Sequence, residues 1–220
     1  MIIAIGGQKG GTGKTTTTVA LADAWHKAGK SVLLIDADPQ RSAMTWGDVR
    51  AEVGLDSPSI IAMGEAMHKR DQLPRLAHGF DVVLIDCPPR FGKILRSAMM
   101  VADLVVMPCG PSDVDAWALA ETLDLVEEAQ TLREDLRSAV LITRKVPRTT
   151  IGRTARELLA EGGHPVLKTE LGYRVAYQKC MGYGQGPATF DQSGKAARET
   201  HKLIAELELL MNEEEATHVA

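Results

Sequence analysis

Ten consecutive residues, Gly6-Gly7-Gln8-Lys9-Gly10-Gly11-Thr12-Gly13-Lys14-Thr15, combine glycines, two lysines and two hydroxyls. That chemistry suits a polyphosphate. A glycine loop can turn its backbone N–H groups inward, and a helix starting at its end adds the positive end of a dipole. Lys14 can reach the β- and γ-phosphates of a nucleotide, and the Thr15 hydroxyl can ligate Mg²⁺. Gly10, Gly11, Thr12, Gly13, Lys14, Thr15 and Thr16 are therefore the candidate nucleotide-binding residues. Two apolar runs end in carboxylates. Val32 to Ile35 leads into Asp36-Ala37-Asp38-Pro39-Gln40, and Val82 to Ile85 leads into Asp86-Cys87-Pro88-Pro89. Ligands gather at the carboxyl ends of strands in open α/β sheets. Asp86 is expected to hold Mg²⁺ through water, because that ion keeps several waters. Phosphoryl transfer needs charge neutralisation and an in-line water, and little covalent work by the protein.

The loop departs from the strict G-x-x-x-x-G-K-[ST] pattern at Gln8, and it carries an additional lysine, Lys9. A cation at that point is not needed to hold the phosphates of its own subunit. The signature K-G-G-x-G-K-T resembles the deviant Walker A loop of the ParA/MinD family of dimerising ATPases. Among them, it looks most like the small ParA-type (ParF-like) partition ATPases, since the loop begins within the first ten residues and no operator-reading domain is expected ahead of it. Asp36 to Gln40 and Asp86 to Pro89 resemble the family's two switch segments. The stretch from Gly172 to Leu207, with Arg174 to Gly182, Gly186-Pro187, Phe190-Asp191 and Lys195-Ala196-Ala197, follows the ParA C-terminal layout. The resemblance spans nearly the whole chain and is weakest between Arg50 and Gly79.

The resemblance carries implications for named residues. Lys9 would cross a dimer interface to the partner's nucleotide and act in catalysis with Lys14 and Asp38. Asp38 would position the attacking water, with Asp36 behind it, and Thr15, Asp38 and Asp86 would stand at the metal. Arg144, at the end of Leu141-Ile142-Thr143-Arg144, would lie beside adenine; as a bare residue it reads equally as a solvated arginine at a strand end. ATP and Mg²⁺ are the implied cofactors, with slow hydrolysis. The implied partners are a second copy in the ATP state, non-specific nucleoid DNA, and a ParB-like or ParG-like protein that stimulates turnover. The cargo could be a plasmid, a chromosome or a protein assembly.

Such a site needs a particular frame. Apolar runs alternate with helical patterns, which predicts an α/β fold of the P-loop NTPase type. Its mainly parallel, twisted sheet of about seven strands should carry helices on both faces. Candidate strands are Ile2 to Ile5, Val32 to Ile35, Val82 to Ile85, Leu104 to Met107, Ala139 to Thr143 and Pro165 to Lys168. They are short, continuous and aliphatic, as strands buried on both faces must be. Helices are predicted over Lys14 to Ala28, with Gly29 just past the end, over Asp113 to Leu132, and over Lys195 to Leu210. No linker interrupts the pattern, so residues 1–220 read as a single domain, with an acidic tail over about 212–220 expected to fray.

Composition sets outer limits. The chain has 220 residues, 45% apolar and 25% charged, which is ordinary for a globular domain. Aromatic residues are only 4%, too few for a base-stacking platform. A net charge of −4 excludes a globally basic DNA binder but leaves room for a local patch. Arg137 to Arg156 holds six cations and no acid. With later cations it supplies the candidate DNA-binding residues Lys145, Arg148, Arg153, Arg174, Lys179 and Lys195. Cys87, Cys109 and Cys180 form no C-x-x-C pair and fit a reducing cytosol. No run is long enough to span a membrane, and a cytoplasmic, nucleoid-associated protein is expected. Two other readings are weighed. A MinD-like membrane-positioning ATPase would need a basic amphipathic end, whereas Glu206, Glu208 and Glu213-Glu214-Glu215 make this one acidic. A reductase component like the nitrogenase iron protein would need two cysteines sharing an iron–sulfur cluster across a dimer; Cys87 and Cys109 lack that family's glycine-flanked setting.

Overall fold

Alternate side chains of a strand enter opposite faces of its sheet, and here both faces are filled. In the computed structural model, which describes residues 1–90, 92–146, 156–160, 163 and 165–212, the aliphatic runs become parallel strands. They are β1 (Ile2–Ile5), β2 (Val32–Asp36), β3 (Ser59–Ala62), β4 (Val82–Asp86), β5 (Leu104–Cys109) and β6 (Arg137–Ile142). Ala4, Leu33, Ile35, Val83, Ile85, Val105 and Met107 join one core cluster. Ile3, Ile5, Val32, Leu34, Val82, Leu84, Leu104 and Val106 join the other. That double burial is why these strands read as unbroken hydrophobic runs rather than alternating ones.

The strand order is β3-β2-β4-β1-β5-β6. β1 lies between β4 and β5, so connections leave towards both halves of the sheet near its carboxyl end, the position that forms a ligand crevice. The register puts Ile5, Asp86 and Asp36 side by side across β1, β4 and β2. Two details differ from the sequence expectation. β3 forms inside the segment where the pattern is weakest. Pro165 to Lys168 does not make a full strand. It forms a single bridge at Val166, flanked by bonds from Val140 N–H to the Pro165 carbonyl (2.8 Å) and from Leu167 N–H to the Val140 carbonyl (2.9 Å). The sheet thus has six laddered strands among the described residues.

Helix α1 (Lys14–Lys27) is buried continuously from Thr17 to Trp25. It ends at Gly29, whose φ of +83° permits the closing bond from Lys30 N–H to the Trp25 carbonyl. Around the sheet lie α2 (Ser42–Glu52), α3 (Leu73–Ala77), α4 (Gly92–Met99), α5 (Asp113–Trp117) and α6 (Ala120–Leu132). They are followed by α7 (Val175–Met181), α8 (Pro187–Phe190) and α9 (Lys195–Asn212). The expected helix from Asp113 to Leu132 is split at Ala118 and Leu119. The break lies between two separate tethers to the glycine loop. Asp115 on α5 holds Lys9 (2.7 Å), and the Thr122 hydroxyl on α6 accepts the Gln8 N–H (3.1 Å).

Candidate nucleotide site

The glycine loop joins the buried end of β1 to α1. Gly6 N–H donates to the Val106 carbonyl at 3.0 Å, pinning the loop's start to β5. Gly11 and Gly13 have φ of +74° and +93°, where an L side chain is strained. Gly13 is the N-cap of α1, and no side chain caps that helix. Its first amides therefore point into the loop's mouth, where an anion would satisfy them. Thr143 Oγ1 donates to the Thr12 carbonyl (2.7 Å) and Arg144 Nη1 to the Gly11 carbonyl (2.9 Å), clamping the loop from the β6 side.

Lys14 is buried, and its Nζ donates to the Lys9 carbonyl at 2.8 Å. Burial pulls its pKa down, against Asp86 and Asp38, which favour its charge. Asp86 ends β4 with no exposed surface. One oxygen accepts from Thr18 Oγ1 at 3.4 Å, while the other has no hydrogen-bond partner among the described residues. Burial raises the Asp86 pKa to about 7; Asp36 and Asp38 push the same way, and the Thr15 hydroxyl and Lys14 oppose them. Thr12 Oγ1 is likewise buried without a partner among the described residues. Unpartnered buried oxygens are uncommon in native proteins. A phosphate against the loop and a cation beside Asp86 would answer both, so these residues fit a nucleotide with Mg²⁺. Thr15, whose hydroxyl bears on the Asp86 carboxyl, and Asp86 would then hold the ion.

The other carboxylates divide their tasks. Asp36 Oδ1 accepts from Asp38 N–H (3.1 Å) and Oδ2 from Met44 N–H (2.9 Å). Both oxygens are committed to shaping the turn that follows β2, so Asp36 supports the loop from behind. Asp38 is half-buried, and its Oδ1 accepts from Gln40 N–H (2.8 Å). Lys9 Nζ pairs with Asp115 Oδ1 at 2.7 Å within the same subunit. Burial alone would raise the Asp115 pKa, but Lys9 and Ser112 outweigh it and hold the carboxyl below its ordinary value.

Beside the loop is a cavity of 340 Å³ whose lining includes Gly13, Thr16, Arg144, Tyr173, Arg174 and Gln178. That volume lies within the range of small-molecule sites. Arg144 and Thr16 both line the cavity. The candidate DNA-binding cations are scattered by comparison. Lys145 is paired with Glu170, which also holds Arg156, and Arg174 is paired with Glu199 while lining the cavity. Lys179 and Lys195 are exposed. Arg148 and Arg153 lie outside the described residues. Sequence reasoning missed Asp115, although Ser112-x-x-Asp115 is a capping-box pattern. It also missed Thr143, Glu170 and Glu199, which carry no local signal.

The family described as the CobQ/CobB/MinD/ParA nucleotide binding domain matches residues 3–188. The carboxysome distribution maintenance protein A of Halothiobacillus neapolitanus is 27% identical over 207 residues, covering 93% of this chain and 95% of that protein. Its namesake in Gloeobacter kilaueensis is 32% identical over 201 residues, covering 90% and 88%. Among solved structures, the ATP complex of a Cyanothece McdA superposes with a TM-score of 0.77 at 17% identity, covering 94% of this chain and 96% of that one. At that identity the likeness speaks for the fold.

Proposed function

The chain belongs to the CobQ/CobB/MinD/ParA family of nucleotide-binding domains, and from that premise we propose that it is a ParA-type ATPase. In this reading ATP joins two copies, the dimer binds DNA without sequence preference, and a partner protein stimulates slow hydrolysis and release. The cargo is DNA or a protein assembly. The carboxysome-distribution names of two relatives support the second as readily as the first.

The observation that carries the reading is the placement of two lysines on one glycine loop. Lys14 is buried behind the loop with its Nζ on the Lys9 carbonyl, while Lys9 stands at the mouth with its side chain 37% exposed. A cation inside the cradle serves its own subunit's phosphates; one at the mouth can serve another's. Mg²⁺, when bound, supplies positive charge to the phosphate oxygens. Thr15 and Asp86 would hold it, Lys14 would neutralise the phosphates, and Asp38 on its turn would orient the water. Arg144 and the cavity beside it take the nucleoside.

The alternatives find less support. Ala196, Ala197, Leu203 and Leu207 of α9 are buried in the core rather than presented to a membrane, and Trp25 donates to Glu208 (2.9 Å). Cys87 and Cys109 are buried, and burial pushes the Cys109 thiol up to about 12, unlike the exposed thiolates a shared cluster needs.

The test is ATP binding and ATP-dependent light scattering of the wild type, Lys14→Ala and Lys9→Ala. Lys14→Ala should lose nucleotide binding. Lys9→Ala should keep it and fail to dimerise. Near-normal nucleotide affinity in Lys14→Ala, or a normal ATP dimer of Lys9→Ala, would overturn the reading.

A further inference from the structure

Among the described residues, three besides the glycines have a left-handed backbone, and all three are arginines: Arg41, Arg90 and Arg144, with φ of +53°, +60° and +56°. Each follows the carboxyl end of a strand, β2, β4 or β6. Glycine adopts that conformation freely, whereas an L side chain is strained in it. Strain of this kind collects at functional sites. Arg144 shows what such an arginine can reach, since its Nη1 donates to the Gly11 carbonyl (2.9 Å). Arg90 is tied to the same loop by its backbone: its N–H donates to the Gln8 carbonyl at 3.2 Å. Its neighbour Pro89 packs there too, with its Cβ 3.9 Å from where a Cβ on Gly10 would lie. Arg90 itself is exposed, and its guanidinium meets no carboxylate among the described residues.

We propose that Arg90 binds the terminal phosphate of a nucleoside triphosphate held by its own subunit, so that a side chain makes this protein prefer ATP to ADP. The proposal rests on the ATPase reading above and adds a phosphate ligand to it. Charge balance calls for one. Asp36 and Asp38 already press on Asp86 at the strand ends, and a triphosphate brings more negative charge to the same place. Lys14 is the buried cation there, while Lys9 is paired with Asp115. A guanidinium on the loop that follows Asp86 supplies further positive charge, in a form that can bond two phosphate oxygens at once. At a partly exposed site such a contact is worth about tenfold in affinity. Arg41 is the control. It has the same backbone strain, but its N–H donates to the Asp38 carbonyl of its own turn (2.9 Å) and not to the glycine loop.

The experiment measures calorimetric affinities for ADP and for a non-hydrolysable ATP analogue, both with Mg²⁺, and melting temperatures without nucleotide, for the wild type, Arg90→Gly and Arg41→Gly. Arg90→Gly should bind the ATP analogue about tenfold more weakly, with ADP affinity unchanged. It should also melt no lower than the wild type, because relief of the left-handed strain offsets the greater freedom of a glycine chain. Arg41→Gly should likewise melt no lower and should keep both affinities. An unchanged ratio of the two affinities in Arg90→Gly overturns the proposal. So does a parallel loss of both affinities with a lowered melting temperature, which would make Arg90 a structural residue. A wild type that binds neither nucleotide removes the ATPase reading itself, a separate outcome read before either variant is compared.

Discussion

Thr12 shows how one side chain can register a ligand. Its hydroxyl is buried without a partner among the described residues, which costs about 1–3 kcal/mol in a folded protein. Thr12→Val keeps the shape and removes the oxygen. Denaturant unfolding without nucleotide should find this variant more stable by about 1 kcal/mol, while calorimetry should find weaker nucleotide binding. Unchanged affinity would mean that the hydroxyl faces no phosphate. Asp38 contrasts with it. Its carboxylate is half-buried and bound only to the next turn's backbone, so Asp38→Ala should fold and bind ATP normally. Turnover should fall by at least about 100-fold, because losing a group that positions water costs rate rather than affinity. Single-turnover kinetics would show this, and unimpaired turnover would remove Asp38 from the mechanism.

Among the elements, α1 matters most, because it begins at Lys14 and its seating fixes where the lysine points. Its buried Asp23 accepts from Arg50 Nη1 (2.9 Å), Thr189 Oγ1 (2.7 Å) and Thr189 N–H (3.0 Å). Arg50 on α2 also donates to the carbonyls of Gly184 (3.0 Å) and Asp56 (2.6 Å). One buried pair therefore ties together the helix after the glycine loop, the helix after Asp38 and the turn leading into α8. Breaking a buried pair from one side typically costs about 3–5 kcal/mol, since the other charge is left uncompensated. Arg50→Ala should lose that much in denaturant unfolding. Gly184→Ala should also be strongly destabilised: its φ is +62°, and a Cβ would lie 2.4 Å from the Arg50 backbone. A near-wild-type midpoint in both would show that α1 is seated by apolar packing alone.

At the scale of the whole molecule, the question is where a polyanion could lie. The acid-free run from Arg137 to Arg156 looks like a basic face, yet in three dimensions Glu170 approaches Lys145 and Arg156, and Glu199 approaches Arg174. Among the described candidates, Lys179 and Lys195 are the exposed ones. Neutralising both should weaken DNA retention by the ATP dimer. It should also flatten the salt dependence by about 0.9 in log–log slope for each phosphate contact removed, with nucleotide affinity unchanged. Arg174→Ala should instead weaken nucleotide binding, because Arg174 lines the cavity beside the loop. DNA titrations at several salt concentrations separate the two outcomes; an unchanged slope in the Lys179/Lys195 variant would place the DNA surface elsewhere.

The sequence by itself determined the strands from Ile2, Val32, Val82 and Leu104, and with them the glycine loop and the carboxylates Asp36, Asp38 and Asp86. These signals are local: burial on both faces demands continuous aliphatic runs, and a phosphate cradle demands glycines at fixed spacing. β3 escaped because an edge strand is only half covered, and its residues Ser59–Ala62 range from half-buried to exposed. The break between α5 and α6 escaped because their apolar spacing is helical throughout. Only the two tethers to the glycine loop, Asp115 and Thr122, distinguish the halves. Tertiary structure alone decided the charge pairing. Lys9 meets Asp115 across 106 residues and Asp23 meets Arg50 across 27, because such partners are chosen by how helices pack on a sheet, and residue spacing along the chain does not encode that distance.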